Sequence, residues 1–556
     1  MFKNYLKMRE SMKKILLMIA LFTCASWSVM AADTDKPAAV FTYNEAHVNK
    51  PVKVGLAATG SFSVDWGDGV LKKYDKTQFY VETVKGKQVK LYGDFKQITA
   101  VAQEIEEMDL SGCPNILLLK IYENNIKHLN VSHMTKMTGL YAAKNKIENE
   151  MDFSGCNDLK VIDLSDNKIP GKMDCSGMKN LSKIDVSGNR LTKLLLPKDE
   201  NTVLVDVNCD NNELTDIDVT GLKKLDELSC SGNKLQTIDL TGLPALNKLY
   251  ADHNEIKNIV FPRDNKLDLL NLSFNQLESI NLVPLFQLTG LYLYNNKLTE
   301  LDLTPNRNLR WINVEHNNLS KFSTKSQPQL ALLRISYNNL SELDITTNKM
   351  VNTLYAEHNR LTNIDVSNNS YLFDFNIGNN QLTTLDISKN PSMYYLRCDS
   401  NEIASLDLSA NQYLHLVAAE HNKLTTLDLQ GKKSLRGLFI QDNAIADAEL
   451  NKIIAALPDI NGKKPIQGVT WSDQLVYSCQ NSTDVHKAEA EKKGWKVTAK
   501  ITSGINRLLP QGSSDVVRYL YYNLSGQLLN AEPTHGLYLI KEVRSNGTTT
   551  VRKVTK

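Results

Sequence analysis

An asparagine returns along most of this chain at a nearly constant interval. It stands at Asn125, Asn145, Asn167, Asn189, Asn212, Asn233, Asn254, Asn275, Asn296, Asn317, Asn338, Asn359, Asn380, Asn401, Asn422 and Asn443. The early gaps are 20, 22, 22, 23 and 21 residues, and from Asn212 onward every gap is 21. A fixed period of roughly 20–50 residues marks an array of stacked units, each too small to bury its own apolar face. With 556 residues the chain is also too long for one compact core.

The hydrophobic residues lock to this asparagine. Around Asn296, Leu291 and Leu293 precede it, and Leu298, Leu301 and Leu303 follow. The unit at Asn359 repeats this with Leu354, Ala356, Leu361, Ile364 and Val366. Alternation at period 2 predicts a short strand with both side chains pointing inward. A carboxamide donates and accepts, so it can satisfy main-chain groups where the strand turns away. The following Leu-Asp-Leu segment, as in Leu301-Asp302-Leu303, is too short for a helix. These residues resemble the leucine-rich-repeat pattern, and sixteen units match it. The expected fold is mainly β: a leucine-rich-repeat solenoid of about 16 short coils, with a parallel concave sheet and no convex α-helices. The convex Asp column, and a second Asn at Asn306, Asn348, Asn369, Asn390 and Asn411, read as local turn chemistry.

Five segments are expected. Residues 1–31 read as a signal peptide: Lys3, Lys7, Arg9, Lys13 and Lys14 precede an apolar run, and Val29-Met30-Ala31 forms the cleavage site. Cys24 as a lipid anchor is the alternative. No other stretch could span a membrane, so the mature chain should have no transmembrane span. Residues 32–87 alternate like a small β-module, whose Asp65-Trp66-Gly67-Asp68-Gly69 reads as a hairpin turn, with a calcium site at Asp65 and Asp68 as the functional alternative. Residues 88–445 form the solenoid, with Val89–Asp94 as a degenerate first coil. Residues 446–503 form an α/β cap, in which Asp447 caps a helix and a second helix runs over about 483–493, before a strand with Trp495, Val497 and Ile501. Residues 504–556 form a β-rich tail. Cys209, Cys230 and Cys398 fall at inward positions, where a thiol acts as a small hydrophobe.

Charge is nearly balanced, with 64 Lys+Arg against 62 Asp+Glu. This argues against nucleic acid as a partner. No nucleophile elbow, P-loop, zinc-protease or dinucleotide fingerprint occurs, so no catalytic residue, metal or cofactor is expected. Four acidic-His-Asn triplets end at Asn254, Asn317, Asn359 and Asn422. Being two or three coils apart, they lie roughly 10–15 Å from one another at about 4.8 Å per coil, too far for one metal. The outward residues of the strands are the better candidates. They give Tyr250, Tyr292, Tyr294, Trp311, Arg334, Tyr355, Tyr395 and Arg397, with acidic neighbours Glu315, Glu357 and Asp399. Tyr122, Asp210, Asp252 and Glu420 extend the same columns. Aromatic rings beside charges make good contact surface. The ligand is expected to be a protein, with a glycan or a purely structural envelope role as alternatives.

The unit also resembles internalin-like bacterial leucine-rich-repeat proteins. The DWGDG segment running through LYGD is similar to surface proteins of Bacteroidetes. The end, through NLSGQ, GLYLI and its basic terminus, resembles type IX sorting domains. These resemblances imply a secreted or cell-surface adhesion protein associated with the outer membrane, which binds a host or community protein and engages secretion machinery through its tail.

Overall fold

The computed structural model describes residues 36–198, 201–462, 476–478, 484–497, 516–522, 528–529, 537–544 and 549–555. The expected signal peptide, Cys24 and Ile501 lie outside them.

The chain begins as two packed sheets. Their strands are β1 (Ala39–Tyr43), β2 (Pro51–Ala58), β3 (Phe62–Asp65), β4 (Leu71–Tyr74), β5 (Gln78–Thr83), β6 (Gln88–Tyr92), β7 (Phe95–Thr99) and β8 (Ile105–Asp109). One antiparallel sheet has the order β4-β3-β6-β1-β8. In the other, β2 lies between β5 and β7. Phe62 joins the layers, packing edge-on against Tyr80 and Phe95. The DWGDG turn is held by its own carboxylates. Asp65 accepts the Gly67 and Gly69 amides at 2.9 Å, and Asp68 pairs with Lys85. Both acids are thus engaged in the turn and its ion pair.

The segment Val89–Asp94 does not open the solenoid. As β6 it pairs with β1 and β3 inside the five-stranded sheet. Gly93, at φ 149°, then lets the chain cross between sheets where a Cβ would strike Phe62 at 2.8 Å. The first rung is β7. It is antiparallel to β2 on one side and parallel to β9 (Leu118–Lys120) on the other. The module and the solenoid therefore share one continuous sheet.

From Leu118 onward each coil contributes a three-residue strand, parallel and in register with the next, through Gly437–Phe439 to Val476–Ser478. The middle residue points inward: Leu140, Leu249, Leu291, Ile312, Leu354 and Leu438 are all fully buried. Their apolar neighbours in adjacent coils make one elongated core. The return path is built of tight turns, and no described residue between 118 and 446 is α-helical. The fold is a leucine-rich-repeat solenoid of about 16 turns and 21-residue coils.

The asparagines tie coil to coil. Asn296 Nδ2 donates to Leu293 O in its own coil at 3.1 Å and to Leu272 O in the previous coil at 2.9 Å. Its Oδ1 accepts the Leu277 amide at 3.0 Å. The same set recurs at Asn145, Asn254, Asn359 and Asn443. In the first unit the row residue is Asn124, not Asn125. Asn124 Nδ2 reaches Ala100 O at 2.7 Å, and its Oδ1 accepts the Ile105 amide at 3.1 Å. The residue before each row asparagine is left-handed, and Glu123 at φ 60° takes that place, which puts Asn124 inside and Asn125 past the turn. On the return path Asn306, Asn348, Asn369, Asn390 and Asn411 form a second row, each donating to two carbonyls of the preceding coil.

The six described cysteines are buried thiols. Cys156 Sγ donates to Val131 O at 3.1 Å and Cys209 Sγ to Ser229 O at 3.4 Å. Burial raises the pKa of both thiols. After the solenoid come helix α1 (Asp447–Ala456) and helix α2 (Asp484–Lys492). Asp447 does not cap α1. Ala446 occupies the cap, and Asp447 sits in the first turn, where its charge still suits the helix dipole. Lys493 Nζ closes the other end of α1 on the carbonyls of Ile454, Ala455 and Leu457. Trp495 is buried, and its ring N–H donates to Pro458 O at 2.9 Å. The tail strands Val516–Tyr522, Leu528–Leu529, Leu537–Arg544 and Thr549–Thr555 form one antiparallel sheet.

The two neighbouring asparagines give a direct test. Asn296→Ala removes three buried hydrogen bonds and should cost about 1–3 kcal/mol in urea denaturation. Asn125→Ala should change stability by less than about 0.5 kcal/mol.

Candidate functional site: the concave sheet

Each strand shows two outward residues, and one more stands beyond its end. With 21-residue coils these line up as three columns along the concave sheet. One column runs Tyr292, Asn313, Arg334, Tyr355, Asn376, Arg397, in register through successive strand pairs. Tyr355 is its centre. The Arg334 guanidinium lies 4.7 Å from the ring centroid and that of Arg397 lies 5.8 Å away. Tyr355 Oη donates to Asp374 Oδ2 at 2.6 Å, and Arg397 Nη1 donates to Asp374 Oδ1 at 2.7 Å. Arg397 also lies 5.7 Å from the Tyr395 ring. Asp374, from the neighbouring column, thus fixes both a phenol and a guanidinium.

The strand alternation places Arg397, Glu357, Asp399 and Glu420 among the exposed contact residues. The structure buries all four: they are 4%, 9%, 7% and 1% exposed. A strand only three residues wide and stacked at about 4.8 Å lets large neighbouring side chains cover shorter ones. Tyr292, Trp311, Arg334, Tyr355 and Tyr395 remain half-buried. Arg397, bound to Asp374, therefore acts from beneath, by fixing the rings of Tyr355 and Tyr395. Tyr250 stands further along the sheet, two coils before Tyr292, with Asn271 between.

Glu315, Ser336 and Glu357 are consecutive members of the third column. Ser336 Oγ donates to Glu357 Oε2 at 2.5 Å. Burial, reinforced by the charge of Glu315, raises Glu357 from its ordinary 4.5 to about 7. Burial also raises Glu315. Asp399 accepts from Asn379 Nδ2 at 3.2 Å and Ser400 Oγ at 3.3 Å.

Sequence reasoning missed an aromatic row at the left-handed positions. His253 stacks on Phe274 at 4.1 Å, and Phe274 meets Tyr294 edge-on. Tyr294 meets His316 edge-on, and His316, Tyr337 and His358 then stack at 4.1 Å intervals. Three of the four triplet histidines thus belong to a stack of rings. The fourth, His421, pairs with Asp442 at 3.0 Å. The signal was present in the aromatic residues just before Asn254, Asn275, Asn317, Asn338 and Asn359. A left-handed non-glycine residue costs roughly 1–2 kcal/mol, and a ring pair returns about 0.5–1.5 kcal/mol. Burial holds His316 down at about 4, so its ring stays neutral near pH 7. Among the described residues no three His, Cys, Asp or Glu converge as a metal site.

No family model and no curated protein matches the sequence. Solved structures do. The chain is similar to the functional domain of InlJ from Listeria monocytogenes, which includes a cysteine ladder. The TM-score is 0.53 at 21% identity, over 85% of this chain and 93% of that one. It is also similar to the Arabidopsis receptor kinase HAESA, solved with the peptide hormone IDA and the co-receptor SERK1. There the TM-score is 0.52 at 18% identity, over 63% of this chain and 66% of that one. The plant peptide hormone receptor RGFR1, in complex with RGF2, gives 0.51 at 19% identity, over 60% and 68%. At these identities the likeness establishes the fold, a leucine-rich-repeat solenoid, and that fold alone.

The carboxyl column gives a pH test. Between pH 4.5 and about 7, folded Glu357 holds a proton that the unfolded chain has lost. Its contribution to stability therefore falls as pH rises through that window. His316 works in the opposite sense: its contribution is complete above about 6.5 and is lost as pH falls toward 4. Glu357→Gln removes only the first effect. The variant should gain on the order of 2 kcal/mol over the parent between pH 5 and pH 8 in thermal unfolding. An equal difference at both pH values would show that Glu357 titrates normally.

Proposed function

We propose that this chain is a secreted or surface-displayed binding protein that recognises a protein ligand on the concave sheet between Tyr292 and Arg397. The carrying observation is Tyr355, held between two guanidiniums and hydrogen-bonded to Asp374. This preorganises contact residues so that little side-chain entropy is lost on binding. The half-buried Trp311 and Tyr292 beside it are the residue types that anchor interfaces. Covered ring faces favour a protein over a glycan. A pyranose stacks on an open aromatic face, and the faces of Tyr337 and Tyr355 are taken by neighbours. We read the chain as a non-enzyme, because among the described residues no nucleophile and base converge on a cavity.

Trp311 and Tyr292 stack on no other described ring, and these half-buried rings support a glycan as the second reading. Secretion through a cleaved N-terminal segment, sorting by the tail and attachment at the outer membrane belong to the same proposal. Among the described residues no helix is long and apolar enough to cross a membrane.

The test is affinity capture from host or community extract, followed by titration of the retained protein. Trp311→Ala and Tyr292→Ala should each weaken binding roughly 10- to 30-fold, as anchor residues do. Unchanged affinity in both would reject the concave face, and a glycan-array hit lost in both would replace the protein ligand with a sugar.

A further inference from the structure

A second surface runs beside the concave sheet. It consists of the four residues that lead into each strand from Trp311–Asn313 to Gly437–Phe439: 307–310, 328–331, 349–352, 370–373, 391–394, 412–415 and 433–436. These seven quartets contain no Asp or Glu. They contain Arg307, Arg310, Lys349, Lys433 and Arg436. The nearest carboxylate columns point elsewhere. Asp302, Asp344 and their equivalents lie on the convex side, each accepting the amide two residues on. Asp374, on the concave side, is bound by Tyr355 and Arg397.

Between the two cationic ends lies an aromatic patch. Phe373 stacks on Tyr394 at 4.8 Å, and Tyr394 on His415 at 3.6 Å. Tyr371, Phe373 and Tyr413 are 58%, 43% and 64% exposed. Rings in three consecutive coils, exposed in the first and third and half-buried at Tyr394 between them, exceed the scattered apolar residues of an ordinary surface. Both faces of Tyr394 are covered, so this stack turns ring edges outward. A ring edge is the positive end of its quadrupole.

We propose that this flank is a second interaction surface, whose partner is a polypeptide segment with acidic residues at its ends and apolar side chains between. Cations at both ends and outward ring edges are complementary to carboxylates, and the exposed rings to apolar groups. A uniform polyanion suits it less. Nucleic acid or sulfated glycan carries charge along its whole length, while the quartets 370–373, 391–394 and 412–415 hold no Lys or Arg. The flank spans six coil steps, about 29 Å at about 4.8 Å each. An extended segment of about nine residues covers that length. The proposal is independent of the concave-face reading, because it uses different residues.

The test selects peptides of about 12 residues from a random phage-displayed library on the full chain, followed by titration of the winners. Winners should carry Asp or Glu around Leu, Val or Phe. The double variants Arg310→Glu with Lys433→Glu, and Tyr371→Ser with Tyr413→Ser, should each bind them at least about tenfold more weakly. These positions are exposed, so the variants should keep the parent's circular dichroism. Tyr292→Ala should bind them within about twofold of the parent. Winners that are basic, absent, or bound by both double variants as tightly as by the parent would overturn the proposal. So would binding of heparin or oligothymidylate, lost in Arg310→Glu with Lys433→Glu, with no peptide selected.

Discussion

The solenoid depends on one interaction, the bridge an asparagine side chain makes between consecutive coils. Its NH2 group closes a carbonyl of its own coil and one of the coil before, while its oxygen takes an amide of the coil before. These are main-chain groups that turn away from the sheet in a dry interior, where each would otherwise be lost to hydrogen bonding. A shorter or charged side chain could not do both jobs. Asp lacks the donors, and Ser cannot reach both directions. Since every bridge links one coil to the last, the period of the chain becomes the rise of the solenoid.

That constraint decides what kind of surface the protein can present. A coil fixed at 21 residues places equivalent positions one above another, so its surface side chains line up in columns. Each column meets a different environment. The column of Tyr355 lies at the centre of the sheet and supports a clamp of rings and guanidiniums. The column one residue before the asparagines is held left-handed and gathers rings that stabilise one another. Between Arg307 and Arg436, the residues leading into the strands collect cations and exposed rings without carboxylates.

The parts of this structure legible in the sequence are those set by period alone. Leu291, Leu293 and Asn296 declare strand, core and turn because the same spacing recurs many times. Where two candidates stood side by side, the period could not choose. Asn124 and Asn125 differ only in which follows the left-handed residue, and that depends on backbone conformation. The module boundary was hidden for a related reason. Val89-Lys90-Leu91 alternates like a rung, but its partners β1 and β3 lie elsewhere in the chain. The burial of Arg397 was also invisible. It is created by Tyr355 and Tyr395, and by Asp374 from a neighbouring strand. The pairing of histidines with Phe274 and Tyr337 likewise exists only once the coils are stacked.

Beneath the concave sheet the protein holds a costly arrangement. Glu315, Glu357 and Asp399 stand two coils apart in one column, and loss of solvent raises the pKa of each. Burying carboxyls in this way stabilises no fold, since apolar residues of similar size would serve better. The neighbouring cations do not cancel them: Arg397 is bound to Asp374, and Arg334 lies over Tyr355. The regular coils supply the stability, and the columns around Tyr355 use some of it to hold charge and ring in fixed positions.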